Sequence, residues 1–365
     1  MHHSSRVFWV LFCLAAVFLI LMAQQSAGCN PASRLATIES LAHRGTFCID
    51  GSPFLELTSD KVMLNGSFYS SKPPVLPVLA AGPYIIFSKL TGISFATHIE
   101  WAVFFVSLLT GAVPYLLLFW VFYLFLKRWT DSDWKISAGL LVFTLNFIGL
   151  GYSTGINNHV PAAAALFSSF YLAFRIRVEG EDGWAFWAAS GFLAALAATL
   201  ELWAAFFCLA IFVYLASTGR RGAWRIFLPA AVPPIALHFF LTWLSSGSLL
   251  PVYLRPELYQ YSGSYWREPV GMDALYQPKH IYFFHLILGH HGLLSMTPVF
   301  LLGGWSMISA VFRKSRRRPE ALTVLLPLLA SLIFLGIRTR NYGGVCAGLR
   351  WMIVAMPMLF LFSVN

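Results

Sequence analysis

Long apolar runs alternate with short polar ones along nearly the whole chain, and the apolar residues fill each run instead of marking one stripe of a helix. A helix that is apolar on every side faces lipid or other helices, not water. The pattern predicts spans at 7–23, 98–126, 136–153, 159–177, 184–199, 202–218, 225–244, 293–312, 321–337 and 350–364. Each is near the ~20 residues that cross a hydrocarbon core, the shorter ones borrowing from their flanks. Val75 to Leu90 is also apolar enough to cross. However, Pro73, Pro74 and Pro77 at its start and Gly82-Pro83 in its middle disfavour a regular helix. It is read as an interfacial or re-entrant segment. Counting it as a crossing inverts every later loop, unless 98–126 forms two short crossings broken at Gly111–Pro114.

Composition narrows this further. The chain is 58% hydrophobic and 11% charged, with 33 Phe, 13 Trp and 14 Tyr, where soluble chains are about half apolar and a quarter charged. An ordinary soluble domain is excluded. The net charge of +10 does not point to nucleic acid. Its basic residues gather in short loops, at Lys127, Arg128 and Lys135, at Arg175 and Arg177, at Arg220, Arg221 and Arg225, and from Arg313 to Arg318. Such loops belong on the cytoplasmic side. This orientation gives a multi-pass protein of the plasma or inner membrane with its N-terminus cytoplasmic. Five cysteines are scattered without metal-ligand spacing. Cys29 and Cys48 are either free or paired as a disulfide. No internal repeat divides the chain, so 1–365 is taken as one transmembrane domain.

The orientation collects residues 24–97, the Gly155–Asn158 turn, Glu201, the long loop 245–292 and Arg338 to Arg350 on the outer face. Ser33 to His43 has helical periodicity, with Leu35, Ile38, Leu41 and Ala42 on one side and Arg34 and Glu39 off it. It is expected to rest on the membrane surface as an amphipathic helix ended by Gly45. Asp50-Gly51 and Asn65-Gly66 mark turns around Thr58 to Val62 and Tyr69 to Pro74. Acids there can deprotonate an acceptor, and Lys61 and Lys72 can neutralise a phosphate. Equally, the same charges serve only to keep a solvated loop out of the lipid.

These residues resemble a known family. A first span, a short amphipathic helix, Gly45-Thr46-Phe47, Ile49-Asp50, Asp60-Lys61-Val62, Gly66 and Tyr69-Ser70-Ser71-Lys72-Pro73-Pro74 follow in the order seen in bacterial membrane glycosyltransferases of the GT-C fold. The likeness is greatest to their protein mannosyltransferase and lipid A aminoarabinose transferase branch. Asn157 to Pro161, Gly289 to Pro298 and Tyr342 to Arg350 are similar as well. The resemblance implies an all-α polytopic protein of about ten transmembrane helices, with a juxtamembrane first exterior loop. It also implies a polyprenyl-phosphate sugar donor. The acceptor is expected to be a lipid, glycan or protein, and no cofactor is expected, a divalent metal not being excluded. Carried over, Lys72 is the phosphate contact, with Lys61, Arg350 and Arg340 as further phosphate ligands. The family's early acidic position falls near Asn30-Pro31-Ala32, where this chain has no carboxylate. Asp60 is the expected substitute base, with Asp50 and Glu39 behind it.

Other candidates stand on their placement. Tyr69 precedes the Lys-Pro-Pro motif. His159 heads a span, where it either caps the turn or serves the site. Glu201 lies between two apolar runs, where an isolated carboxylate is costly. His290 and His291 can hydrogen-bond a phosphate or bind a metal, but neighbours point different ways on a helix and no acid lies close in sequence, which argues against the metal. Tyr253, Tyr259, Tyr261, Tyr265, Trp266 and Tyr276 either stack on sugar or form an interfacial belt. Two further readings stay open, a transporter or flippase of a lipid-linked glycan and a catalytically inactive GT-C relative.

Overall fold

The computed structural model describes residues 3–273, 277–339, 341–343 and 346–364. Apolar runs become helices because only a helix satisfies its own backbone where water is absent. In chain order these are α1 (His3–Met22), α2 (Cys29–Arg44), α3 (Val75–Thr91), α4 (Ile99–Trp129), α5 (Asp133–Asn146), α6 (His159–Phe174), α7 (Trp184–Leu200), α8 (Ala204–Ala216), α9 (Ala223–Ser246), α10 (Lys279–Ile287), α11 (Phe300–Phe312), α12 (Arg318–Arg338) and α13 (Met356–Ser363). α1, α4, α9 and α12 are each long and apolar enough to cross a bilayer, and α3, α7, α8 and α11 are shorter apolar helices. The molecule is a multi-pass membrane protein. A hairpin of β1 (Lys61–Leu64) and β2 (Ser67–Ser70) lies between α2 and α3.

Several predicted boundaries are corrected. The 136–153 span is interrupted after Asn146, where Phe147 turns to extended backbone, and resumes only as a single helical turn at Gly149–Tyr152. The 293–312 span becomes helical only from Phe300, just after Thr297-Pro298. Residues 350–364 are a short 3-10 turn followed by α13. α4 is a single helix of 31 residues, loosened into a π turn at 108–112 but not broken.

Contacts between loops sort the two ends of the bundle. At one end Ser4 Oγ donates to Asp133 at 2.6 Å, Arg128 pairs with Glu179 at 2.5 Å, Arg220 reaches Ile176 O and Arg317 reaches Trp129 O. The basic loops therefore share the end that carries α1's first residues. At the other end Gln24 N donates to Thr154 O, and Trp266 Nε1 to Ser59 O.

The prolines do not prevent α3 from forming a regular helix. Pro77 falls in its first turn, where backbone N–H groups lack intrahelical acceptors, and Pro83 removes a single ladder bond. Both ends of α3 stay near the same face of the molecule. The Tyr84 hydroxyl accepts from Phe95 N and lies 3.2 Å from His43 Nε2, and Phe95 meets Phe54 edge-on.

The core is largely aromatic. Phe119, Phe122, Phe125, Phe143 and Phe167 are fully buried where α4, α5 and α6 meet, and Phe360 of α13 packs on Phe143 and Phe300. Gly111 sits in the π turn of α4, where an added Cβ would come 2.2 Å from Ser153 O. Gly111→Val is expected to cost about 1–3 kcal/mol through overpacking, read as a lower melting temperature in detergent. Gly82→Ala, with open space around the site, is expected to leave the melting temperature unchanged or raise it by the equivalent of about 0.5–1 kcal/mol.

Candidate active site

The two-residue turn Asn65-Gly66 has positive φ at both positions, 52° and 83°, as a hairpin turn of this kind requires. The turn sets the register, from Leu64 opposite Ser67 to Lys61 opposite Ser70. One step beyond the last pair, Ser71 N donates to Asp60 O at 3.1 Å. The open mouth of the hairpin thus carries Asp60 on one arm and Lys72 on the other. Their side chains form an ion pair at 2.8 Å.

α2 docks against that mouth. Ser33 Oγ donates to Asp60 O at 2.6 Å, and the Asn30 amide donates to Asp60 Oδ2 at 3.1 Å. Arg34, one turn after Asn30, donates to Asn30 Oδ1 at 2.7 Å and to Asn158 Oδ1 at 2.5 Å. Asn158 in turn donates to Leu200 O at 3.0 Å, tying the head of α6 to the end of α7. His159 Nδ1 lies 2.8 Å from Glu201 Oε1, within ion-pair range but off the line of a hydrogen bond. Because Asn158, His159 and Glu201 follow from helix ends, their positions depend on the packing of α6 on α7.

These groups surround one cavity of about 800 Å³, lined by Asn30, Arg34, Asp60, Lys72, His159, Glu201 and Arg350 among others. Asp60, His159 and Glu201 are all buried. Burial pulls the Lys72 ammonium below its ordinary pKa, while Asp60 pulls it back up. Burial likewise draws the Arg34 guanidinium down to about 10, against the pull of Asp60 and Glu201. Arg34 remains charged at neutral pH. Arg350 Nε is buried with no hydrogen-bond partner among the described residues. Gly343, at φ +98°, makes room for it, since a Cβ there would come 3.1 Å from that nitrogen. The loop between α9 and α10 covers the hairpin and supplies Tyr253, Tyr259, Gln260, Trp266 and Asp273 to the cavity. Val252 and Leu258 of that loop pack on Val62 of β1. The cavity therefore has a charged side and an aromatic side, and Arg350, whose Nε is unclaimed, belongs to the charged side.

Of the residues singled out in the sequence, Asp60, Lys72, His159, Glu201, Arg350, Tyr253, Tyr259 and Trp266 line this cavity. Others do not line it. Asp50 Oδ1 accepts from Phe68 N and steadies the hairpin. Glu39 is held by both terminal nitrogens of Arg44 at 2.8–2.9 Å. Lys61 donates to Leu55 O and sits over the Phe68 ring. Tyr69 faces a smaller recess shared with Thr37, Phe47 and Pro74. His290 and His291 contact each other, and both pack on Tyr342. Tyr261 meets Phe68, and Tyr265 donates to Asp273. Arg340 and Tyr276 lie outside the described residues. Cys29 and Cys48 are free and separate, with Cys29 Sγ beside Ser59 and Cys48 Sγ beside Asp50.

α2 departs from the expected surface helix. Residues 32–40 are buried all round, including Arg34 and Glu39. Its polar cavity side, Asn30 and Arg34, does not show in the apolar stripe. The i, i+4 spacing of an amide and a guanidinium was the available signal. Trp203 and Trp351, 6.0 Å apart on the cavity wall, carried no signal in sequence beyond their interfacial position. Among the described residues no three His, Cys, Asp or Glu side chains gather as metal ligands.

No protein-family model matches the chain, and no curated protein matches it. Its likeness to solved structures is extensive. ArnT from Cupriavidus metallidurans bound to undecaprenyl phosphate aligns over 97% of this chain and 59% of its own, at 15% identity and a TM-score of 0.62. The same protein in the apo state gives 0.57 at 16% identity, over 99% of this chain and 59% of its own. The oligosaccharyltransferase of Archaeoglobus fulgidus aligns over 100% of this chain and 50% of its own, at 13% identity and a TM-score of 0.55. The chain thus spans between half and three-fifths of its neighbours' length, and over that length it has the GT-C fold they share.

Proposed function

We propose that this chain is a membrane glycosyltransferase that moves a sugar from a polyprenyl-phosphate donor to an acceptor, at the end of the bundle opposite the basic loops. The observation that carries this reading is the convergence of Asp60, Lys72, Arg34 and Arg350 on one large cavity. That cavity lies in a fold shared with a transferase bound to undecaprenyl phosphate. By the charge rule the cavity end is the outer face of the plasma membrane, reached by about ten spans.

In this reading the donor phosphate sits between Lys72 and Arg350. The acceptor hydroxyl gives its proton to Asp60 as its oxygen bonds to the anomeric carbon, and the bond from that carbon to the phosphate oxygen breaks. The negative charge left on the polyprenyl phosphate falls on preorganised cations, where such stabilisation is worth most. Asn30 takes the place near which the related enzymes carry an early carboxylate, and its amide holds Asp60 Oδ2. An arriving phosphate competes with Asp60 for Lys72, so donor binding itself frees the carboxylate. The sugar lies against Tyr259 and Trp266.

The test uses liposomes carrying the purified protein and a panel of polyprenyl-phosphate sugars, with loss of lipid donor as the readout. Asp60→Asn is expected to slow turnover by about 10²–10⁴-fold, and Lys72→Ala by about 10²–10³-fold. Unchanged turnover in both variants would overturn the residue assignment. No turnover of any donor would overturn the transferase reading.

Alkaline titration gives a second expected outcome. Lys72 has its pKa lowered from 10.5, so its charge is lost at lower pH than that of an ordinary lysine. Undecaprenyl phosphate binding should therefore weaken as pH rises through that lowered value. Lys72→Arg, starting from a higher ordinary pKa, should move that loss to higher pH. Equal alkaline loss in both proteins would remove Lys72 from the phosphate site.

A further inference from the structure

A second cavity, of about 610 Å³, opens between α8 and α12 at the opposite end of the bundle. Its floor and walls are apolar, formed by Phe206, Val213, Leu322 and Leu326 around the small side chain of Ala210. Val213 and Leu326 are exposed, so the groove opens sideways where lipid lies. It runs from Arg318 to Ala330 along α12, about 18 Å at 1.5 Å per residue. That is close to one leaflet of a hydrocarbon core about 30 Å thick.

The polar end of the groove carries Arg177 and Arg318. Arg177 is fixed in place: one terminal nitrogen donates to Tyr214 O at 2.5 Å and to Ser217 Oγ at 2.6 Å, with the guanidinium over the Tyr214 ring. Among the described residues its Nε and other terminal nitrogen make no hydrogen bond. Arg318 is exposed at the start of α12 and has no acidic partner among the described residues. Glu320 does not line the groove, being buried behind Tyr214 and accepting its hydroxyl at 2.6 Å. The groove thus combines an acyl-chain length of apolar wall with two guanidinium groups, of which Arg177 keeps its Nε and one terminal nitrogen unclaimed.

We propose that this groove binds one anionic glycerophospholipid from the leaflet on the side of α1's first residues, its acyl chain between α8 and α12 and its phosphate on Arg177 and Arg318. The inference is independent of the transferase reading, because the groove shares no residue with the cavity at the other end.

Native mass spectrometry of the purified full chain tests it, with phosphatidylglycerol and phosphatidylcholine of the same acyl chains added in turn and inorganic phosphate as a third arm. Phosphatidylglycerol adducts are expected to exceed phosphatidylcholine adducts by about fivefold. Arg318→Glu should abolish that preference. Ala210→Phe, which fills the floor and leaves both arginines, should reduce lipid adducts without touching the loop chemistry. Equal adducts of the two lipids on the unmodified chain would overturn the proposal, as would a preference unchanged by both variants. Occupancy by inorganic phosphate alone at the level of the lipid would show an anion site without an acyl-chain site, and would overturn it too. Retention of a polyprenyl phosphate here in preference to phosphatidylglycerol would overturn the identity of the occupant.

Discussion

A charge taken out of water must be met by partners, and in this chain that requirement is concentrated on Arg34. Its guanidinium is buried, and it donates to Asn30 on its own helix and to Asn158 at the head of α6. Asn30 passes the connection to Asp60, Asp60 to Lys72, and Asn158 to the end of α7. Four separate stretches of chain are therefore held by one chain of polar contacts. Leaving any buried link unpaired costs about 1–3 kcal/mol. The cavity exists because these links bind the helix ends and the hairpin at their polar edges while leaving the middle open.

Much of this arrangement was legible in the sequence, and for physical reasons. The apolar runs had to be helices, and the basic loops had to share one end. The contacts Ser4–Asp133, Arg128–Glu179 and Arg317–Trp129 show the loops gathered there. The Asn65-Gly66 turn is visible in the sequence, and so is what it implies. A two-residue turn between short alternating arms specifies a hairpin, and counting outward from it brings residue 60 beside residues 71 and 72. The pairing of Asp60 with Lys72 was thus written locally.

The remaining features depend on long-range packing that no local pattern encodes. Periodicity marks α2 as amphipathic because Leu35 and Ile38 form a stripe, yet residues 32–40 are enclosed on all sides. The stripe alone leaves Arg34 off the apolar side of a surface helix. Whether Asp50 or Asp60 faces the cavity turns on how the segments flanking the hairpin pack, and the Asp50 carboxylate accepts from Phe68 N instead. His159 and Glu201 are distant in sequence and meet only because α6 and α7 pack side by side. Prolines in Val75–Thr91 argued against a helix, but their placement within the turns made them cheap to accommodate.

The hairpin has one more consequence, for how this chain tolerates change in length. Two residues of opposite charge, separated by the arms and tip of a single β-ribbon, stay adjacent only while the number of residues between them is preserved. A one-residue insertion or deletion in either arm shifts the pairing and turns every following side chain to the other face. Substitutions along the ribbon are absorbed locally, whereas indels are not. Between Asp60 and Lys72 the spacing itself, more than the identity of the intervening residues, holds the pair together.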